Sequence, residues 1–496
     1  MLTLNEIKTF IEEDKTSDKK IKAAEGQRYY EAEHDIMNCR LFYYNADGNL
    51  VEDKTRANIK ISHPFFTELA DQISSYMTSF DENPIKAIES AEGLQDHLDT
   101  YFDEEFWAEI GDVLTGAYVK GFDYLYGYMN EDNRLAFEYA DSMGVVEVQG
   151  RYTADGQDYK IYHYMDTELS EKGKVLVRRI QVWTKDETYY FIQDNQNGEI
   201  VPDTSYEINP RPHVVYTDEK GVKRGKPLGF IPFWRLDYNK KQFSGLKPIK
   251  GIIDDYDLHS CSLSNNLKDF DTPLHVVSGF QGDNLDELQT NLKTKKIVGV
   301  DAEGDVQVRT VDIPYEARKE KLELDEKNIY RFGMGLNTAG LKDTTATTNI
   351  AIKMAYTLLD LKANKYEKRL KKFLKEIIEV VLAEINEQHD KDYRINDIYF
   401  DFERSVMTNN AENIQNAKVE ADTRMIEINT VLNVAANVGD EQTLKAICEV
   451  MEWDFEAIQA ALEEAESNGT AVAMAALEGV VIDEQTTETG ARTIPE

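Results

Sequence analysis

Apolar residues in the first 140 positions recur three and four residues apart. Leu4–Glu13, Asp18–Glu33, Phe65–Phe80 and Glu104–Leu125 each keep that spacing, which lines apolar side chains along one helix face, so four helices are predicted. From about 143 to 236 the period drops to two. VLVRRIQVWT (Val175–Thr184) and TYYFIQ (Thr188–Gln193) read as strands, and Asn197-Gly198 within DNQNG supplies a hairpin turn. An α+β domain of about 240 residues is the simplest account of this half.

Helical spacing returns after Gly245. Pro248 suits a first helical turn and Pro273 a stop, and between them Ile249, Ile252, Tyr256, Leu263, Leu267 and Phe270 repeat at helical intervals. At 1.5 Å per residue, about 22 residues of helix would span roughly 33 Å. Short strands follow in LHVV (Leu274–Val277), KKIVGV (Lys295–Val300) and DVQVRTV (Asp305–Val311), the last two joined by a turn across DAEG (Asp301–Gly304). A second helix, Tyr315–Phe332, carries Tyr315, Leu322 and Ile329 seven apart. If the two helices pair antiparallel, the β-rich insert sits at the far end of a stalk. Asn349–Glu387 then reads as one long helix with Leu370, Phe373, Ile377, Val381 and Ile385 on one face, and INDIYFDFERS (Ile395–Ser405) as a strand. Residues 408–466 read as three short helices broken at Val438-Gly439-Asp440 and Trp453-Asp454. Beyond Ser467 the chain is rich in Ala, Thr, Gly and Glu, lacks periodicity, and reads as disordered. The fold class is therefore α+β, mainly helical.

Composition narrows this picture. The 496 residues allow two to four domains, and 41% apolar with 30% charged residues is ordinary for a globular protein. No apolar run approaches the roughly 20 residues of a membrane span, and the acidic start MLTLNEIKTFIEEDK lacks the basic region of a secretory signal. Cys39, Cys261 and Cys448 lie far apart with no metal spacing, which fits a reducing cytoplasm. The net charge of −36 repels nucleic acid as a whole, and the isoelectric balance gives no case for DNA binding.

The stretch GLNTAGLKDTTATTNIAIKM (Gly335–Met354) comes within one residue of a phosphate-binding loop. Gly335 and Gly340 have the right separation, but Leu341 intrudes before Lys342 and Asp343 occupies the hydroxyl position, where a carboxylate repels phosphate. The preceding element also reads as a helix, whereas that motif follows a strand. The eight histidines are dispersed, and no hydrolase or metalloprotease motif is present. His34-Asp35 and Asp254-Asp255 are metal ligands only formally, because adjacent helical residues point about 100° apart, and a solvated surface is the favoured reading. No cofactor and no enzymatic activity are expected. One feature opposes the acidic background: seven of the fourteen residues in Lys362–Lys375 are basic, against the single acid Glu367. Lys362, Lys365, Arg369 and Lys372 lie along one helix face, either solvated and paired to acidic neighbours or in contact with phosphates or an acidic adjacent subunit.

The order helix, insert, helix, loop, long helix resembles the portal proteins of tailed bacteriophages, in the branch found in siphoviruses of Gram-positive hosts. YYEAEHDI (Tyr29–Ile36) and NIKISHPFFTELADQISSYM (Asn58–Met77) are similar to that family's N-terminal helices. GFIPFWRLDYN with GLKPIKGIIDDYD (Gly229–Asp257), LSNNLKDFDTPLHVVSGF (Leu263–Phe280) and FERSVMTNNAENIQNA (Phe402–Ala417) are similar to later segments, in the family's order. Two departures are local: Ala32 stands where the family often has glycine, and TSFDENPI replaces a more glycine-rich ending.

The resemblance implies a ring, twelve-fold in the virion, at one capsid vertex, assembled in the host bacterial cytoplasm and associated with no membrane. It implies a wing (1–246 and 349–407), a stem (247–271 and 315–333), a clip (272–314), a tunnel loop (334–348), a crown (408–466) and a tail (467–496). Double-stranded DNA would pass through the channel, with the terminase large subunit, a head-completion protein, and major capsid and scaffolding proteins as partners. Gly335, Asn337, Thr338, Gly340, Lys342, Thr344 and Thr345 would line the channel. Gly333, Gly335 and Gly340 would supply positive φ and close approach of neighbouring copies. Asp283, Asp286, Glu287, Glu303 and Asp305 would form the clip's docking surface. A nucleotide-binding enzyme and a non-viral structural ring are the alternative readings.

Overall fold

The computed structural model describes residues 1–270 except 46, 55, 131–133, 171–172, 195–197 and 218–222, then 274–280, 300–309, 315–337, 349–404, 423–435, 439–451 and positions 288, 418, 453, 455 and 458–459. The chain divides into two compact units, one of residues 1–345 with 353–406 and one of residues 346–352 with 407–496.

The first unit starts with a capping box. Thr3 Oγ1 accepts from the Glu6 N–H at 3.3 Å while the Glu6 carboxylate accepts from the Thr3 N–H at 2.7 Å, which starts α1 (Leu4–Lys15). Leu2, Ile7 and Ile11 pack against Val146, Tyr159, Ile161, Ile180, Val182 and Phe191 of an antiparallel sheet. That sheet runs Ile200–Pro202, Glu187–Asp194, Gly173–Trp183, Tyr159–Ser170, Val145–Val148, with Arg211–Pro212 also on Glu187–Asp194. The two predicted strands fall in Gly173–Trp183 and Glu187–Asp194. The Gly198 N–H donates to Asp194 O at 3.1 Å, and Asn197 lies outside the described residues.

Helix α2 (Asp18–Tyr30) ends three residues before the predicted Glu33. Ala32 adopts φ +59°, and the Glu33 N–H reaches back to Arg28 O at 2.8 Å, the left-handed ending that glycine usually serves. The main core joins α3 (Phe65–Met77), α4 (Leu94–Tyr101) and α5 (Glu104–Lys120). Helix α5 was expected to reach Leu125 and stops at Lys120 because Gly121 turns left-handed at φ +95°, where a Cβ would stand 2.3 Å from Gln242 O. The apolar run beyond it, Phe122–Met129, is instead the middle strand of a sheet with Phe233–Asp237 and Leu135–Ala140. Sheet register, with Tyr126 beside Phe233 and Glu138, overrode the helical spacing.

Helices α6 (Lys250–Phe270) and α7 (Tyr315–Gly333) pair antiparallel: Lys321 bonds Asp255, while Arg318 faces the Asn266 amide, whose oxygen is assigned to accept at 2.8 and 3.0 Å. Between them Leu274–Phe280 pairs with Val300–Arg309. The predicted DAEG turn is corrected here. Ser278 stands opposite Asp305 and Phe280 opposite Val300, so residues 301–304 form an irregularity within one strand, facing Gly279 at φ +68°. Of KKIVGV only Val300 is described.

Helix α8 (Asn349–His389) buries Leu370, Phe373, Ile377, Val381 and Ile385 as expected, each contributing roughly 2 kcal/mol of apolar burial. Ile398–Phe400 pairs with Ile85–Ala87. In the second unit α9 (423–435) and α10 (Asp440–Met451) are separated at Gly439, φ +93°, where a break was predicted. Of the third helix predicted there, only positions 455 and 458–459 are described, all three helical, and the tail from 467 lies outside the described residues. Among the described residues no helix is long and apolar enough to cross a membrane.

Candidate functional site

The segment joining α7 to α8 is held at its root from three sides. The Gly335 N–H donates to Tyr330 O at 2.9 Å, closing the end of α7, and Met334 takes φ +53°. Gln72 of α3 clamps the next residue in both senses: its Oε1 accepts from the Leu336 N–H at 3.0 Å and its Nε2 donates to Leu336 O at 2.9 Å. Lys362 of α8 donates to Gly333 O and to the Tyr118 hydroxyl, both at 3.0 Å. The Tyr330 hydroxyl reaches Glu68 Oε2 at 2.5 Å, and Asn337 Nδ2 reaches Glu326 Oε1 at 3.3 Å.

One expectation changes. Positive φ falls on Met334 rather than on Gly333 or Gly335. Those glycines permit a close approach within the chain: a Cβ on Gly335 would stand 2.0 Å from Leu69 Cδ2, and one on Gly333 would stand 2.6 Å from Leu69 Cδ1. The geometry also counts against a phosphate loop. The segment follows a helix, and the Gly335 and Leu336 N–H groups already have acceptors in the fold. Thr338, Gly340, Lys342, Thr344 and Thr345 lie outside the described residues.

Helix α6 is itself braced against the N-terminal segments by buried charge. Asp257 of α6 is fully buried and accepts from His34 Nδ1 at 2.6 Å, His63 Nδ1 at 2.7 Å and the His63 N–H at 3.0 Å. Burial pushes its carboxyl up, and the bonds from His34 and His63 more than reverse this, leaving it below the ordinary value. His34 stacks on Tyr29 at 4.5 Å and has no exposed surface, so its reading as solvated surface is corrected. Asp35 and Asp254 share Lys250 at 2.6 and 2.9 Å, and Asp255 bonds Lys321, so these acids act as struts. Among the described residues no group of three His, Cys, Asp or Glu could hold a metal.

The basic stretch of α8 is divided. Lys365 and Lys372 are exposed and Arg369 is half-buried, with Lys372 3.6 Å from Glu376. Lys362 does not belong to that face. It is 4% exposed, because it falls three residues after Leu359 and four before Tyr366, on the stripe that enters the core. That spacing was available in the sequence, but the charge obscured it. Glu303 and Asp305 are exposed on Val300–Arg309, and Gln307 Nε2 donates to Asp305 at 3.0 Å; Asp283, Asp286 and Glu287 lie outside the described residues. No sequence signal marked Gln72, Glu68 or Tyr118, which meet the loop root only through tertiary packing.

Comparison with known proteins gives the family. The chain is 25% identical over 351 residues to the portal protein of Bacillus phage SPP1, covering 70% of this chain and 66% of that protein, just under two thirds of its length. It is 24% identical over 403 residues to the portal protein of Clostridium phage phiCD119, covering 77% of this chain and 82% of that one. Among solved structures it resembles the neck of a native GTA particle computed with C12 symmetry, at 12% identity and a TM-score of 0.31, covering 61% of this chain and 78% of that one. Residues 10–470 match the family described as phage portal protein, SPP1 Gp6-like, and the chain belongs to that family.

Proposed function

We propose that this chain is the subunit of a portal ring at one vertex of a phage capsid, forming the channel for double-stranded DNA during packaging and ejection. The observation that carries this reading is the family match across residues 10–470. In it, the antiparallel pair α6 and α7 is the stem (247–271 and 315–333), the strand pair between them belongs to the clip (272–314), and residues 334–348 are the tunnel loop. Residues 1–246 and 349–407 form the wing and 408–466 the crown. The clip, through Glu303 and Asp305, docks the terminase motor and later a head-completion protein, while capsid and scaffolding proteins surround the ring. Assembly takes place in the host cytoplasm and the final location is the virion.

Physical chemistry supports the assignment. A duplex slides only where contacts are few, because each phosphate neutralised adds affinity through counterion release. A chain of net charge −36 repels DNA broadly and leaves contact to a few cations. Lys342 in the loop and the exposed Lys365 and Lys372 of α8 are the cations assigned to that role or to an acidic neighbour. The family is structural, and the loop geometry gives a nucleotide no free N–H cradle among the described residues. Electron micrographs of the purified protein should show rings with an axial hole. A strictly monomeric mass by light scattering across micromolar concentrations would refute the reading.

A further inference from the structure

Three lysines are buried among the described residues, and the fold treats them differently. Lys20, 3% exposed, lies 2.9 Å from Asp14. Lys120, 2% exposed, lies 2.8 Å from Asp123 and 2.5 Å from Asp141, and its pKa is raised: burial pulls it down and the two carboxylates more than reverse that. Lys362, 4% exposed, has no ion pair with any described carboxylate, and burial is the one influence on its amine. Its acceptors, Gly333 O and the Tyr118 hydroxyl, are neutral, and the Tyr118 ring centroid is 4.3 Å away. An ammonium has three N–H donors, and a buried cation without a counter-anion is costly. Burial alone pushes this amine down to about 7.

Lys362 lines a cleft of about 490 Å³ beside the end of α7. Lys247 and Lys365 line it too, with Phe243 and Met334, and no described lining residue is acidic. That composition is unexpected in a chain with 92 acidic and 56 basic residues. The Lys247 amine sits 3.4 Å from the Phe243 ring centroid, and both it and Lys365 are exposed, so two cations stand at the rim and one at the base.

We propose that this cleft is a carboxylate-binding site, completed by an Asp or Glu side chain inserted by the adjacent copy of the chain, with Lys362 at its base and Lys247 and Lys365 at its rim. The proposal rests on the ring reading above. An acidic side chain suits the recess because it is narrow enough to approach a nearly inaccessible amine, whereas a duplex backbone is broad and is repelled by the chain's net charge. A neighbouring copy presents carboxylates in excess. Since Lys362 also holds Gly333 O, the inserted carboxylate would tie the loop root of one subunit to the next, and neighbouring loops would move together.

The test is the titration of Lys362 in the full-length protein, followed by trace acetylation and mass spectrometry from pH 6 to 11, in isolated subunits and in rings. Light scattering of the same samples reports assembly. The expected result is a midpoint near 7 in the subunit and about two pH units higher in the ring. The midpoint is decisive rather than the rate, because burial in an interface without an anion slows labelling but lowers the midpoint further. A ring in which Lys362 keeps or lowers its midpoint overturns the site alone. So does a midpoint already high in the subunit, which places the anion within the same chain. Inorganic phosphate raising the subunit's midpoint, with no rise in phosphate-free rings, would identify a free anion and also overturn it. A chain that never assembles overturns the ring reading, and this site falls with it.

Discussion

Asp257 shows how much one residue carries. It has no exposed surface and serves two imidazoles from segments more than 190 positions away in sequence. Its carboxyl is held below the ordinary value, so its stabilisation is complete above about pH 4 and is lost as pH falls through the lowered folded value. Asp257→Asn should cost roughly 3 kcal/mol, because it leaves polar partners buried without their anion. It should also flatten the acid-unfolding limb below about pH 4, as followed by circular dichroism. An unchanged acid limb would remove Asp257 from that role. Ala32 is the opposite case. At φ +59° an alanine is strained where glycine is not, so Ala32→Gly should raise stability by about 1 kcal/mol in urea titration, despite the larger entropy of the unfolded chain. A loss of stability would show that the strain is absorbed elsewhere.

At the scale of elements, an extended segment lies along α6 in matched register. The N–H groups of Ala57, Ile59, Ile61 and His63 donate to side chains of Asp269, Asn265, Cys261 and Asp257. Two residues of extended chain advance roughly 6.6 Å and four of helix advance 6 Å, so every second amide meets every fourth helix position. Asn265→Ala removes one rung, the 2.6 Å bond to Ile59. It should cost about 1 kcal/mol and speed hydrogen exchange at Ile59 while leaving α8 unchanged. Uniformly faster exchange across the unit would contradict a local clamp. The close approach of the loop root to α3 is likewise specific. Gly335→Ala forces a methyl onto Leu69 and should destabilise by about 2 kcal/mol, with Leu69→Ala in the same chain recovering part of that loss. Strict additivity of the two substitutions would show that the contact does not set the position of Gly335.

For the whole molecule, the prediction concerns the loop proposed to meet DNA. Lys342 is the single cation between Gly333 and Ala351, and one exposed lysine–phosphate contact is worth about 1 kcal/mol or less once screened. A ring repeats that contact around the duplex, so weak contacts add without any being tight. Lys342→Ala should leave folding and ring formation unchanged and alter DNA packaging or retention, most at low salt. Lys342→Asp should be worse, because it replaces attraction with repulsion. Normal packaging by both variants would take Lys342 out of the DNA path. Nucleotide affinity in the wild-type protein that both variants lose would instead revive the phosphate-loop reading.

Local pattern determined much of this protein. The spacing of Leu370, Phe373, Ile377, Val381 and Ile385 fixed a long helix, because a stripe repeating every 3.6 residues can be buried in only one conformation. Alternation fixed Gly173–Trp183 and Glu187–Asp194 for the same reason at period two. The failures share a cause. Phe122–Leu125 continues the helical spacing of the segment before it, yet a left-handed Gly121 and two waiting partner strands made Phe122–Met129 a strand. DAEG has turn composition, yet the pairing of Val300–Arg309 with Leu274–Phe280 carried it inside a strand. Lys362 has the charge of a surface residue, yet the face of α8 that meets α5 took it into the interior. Sequence spacing is a property of a segment and its own backbone. Which partner meets that segment, and so which polar group is buried, is set by packing between residues hundreds of positions apart, as with Gln72 and Leu336, and only the tertiary structure decided it.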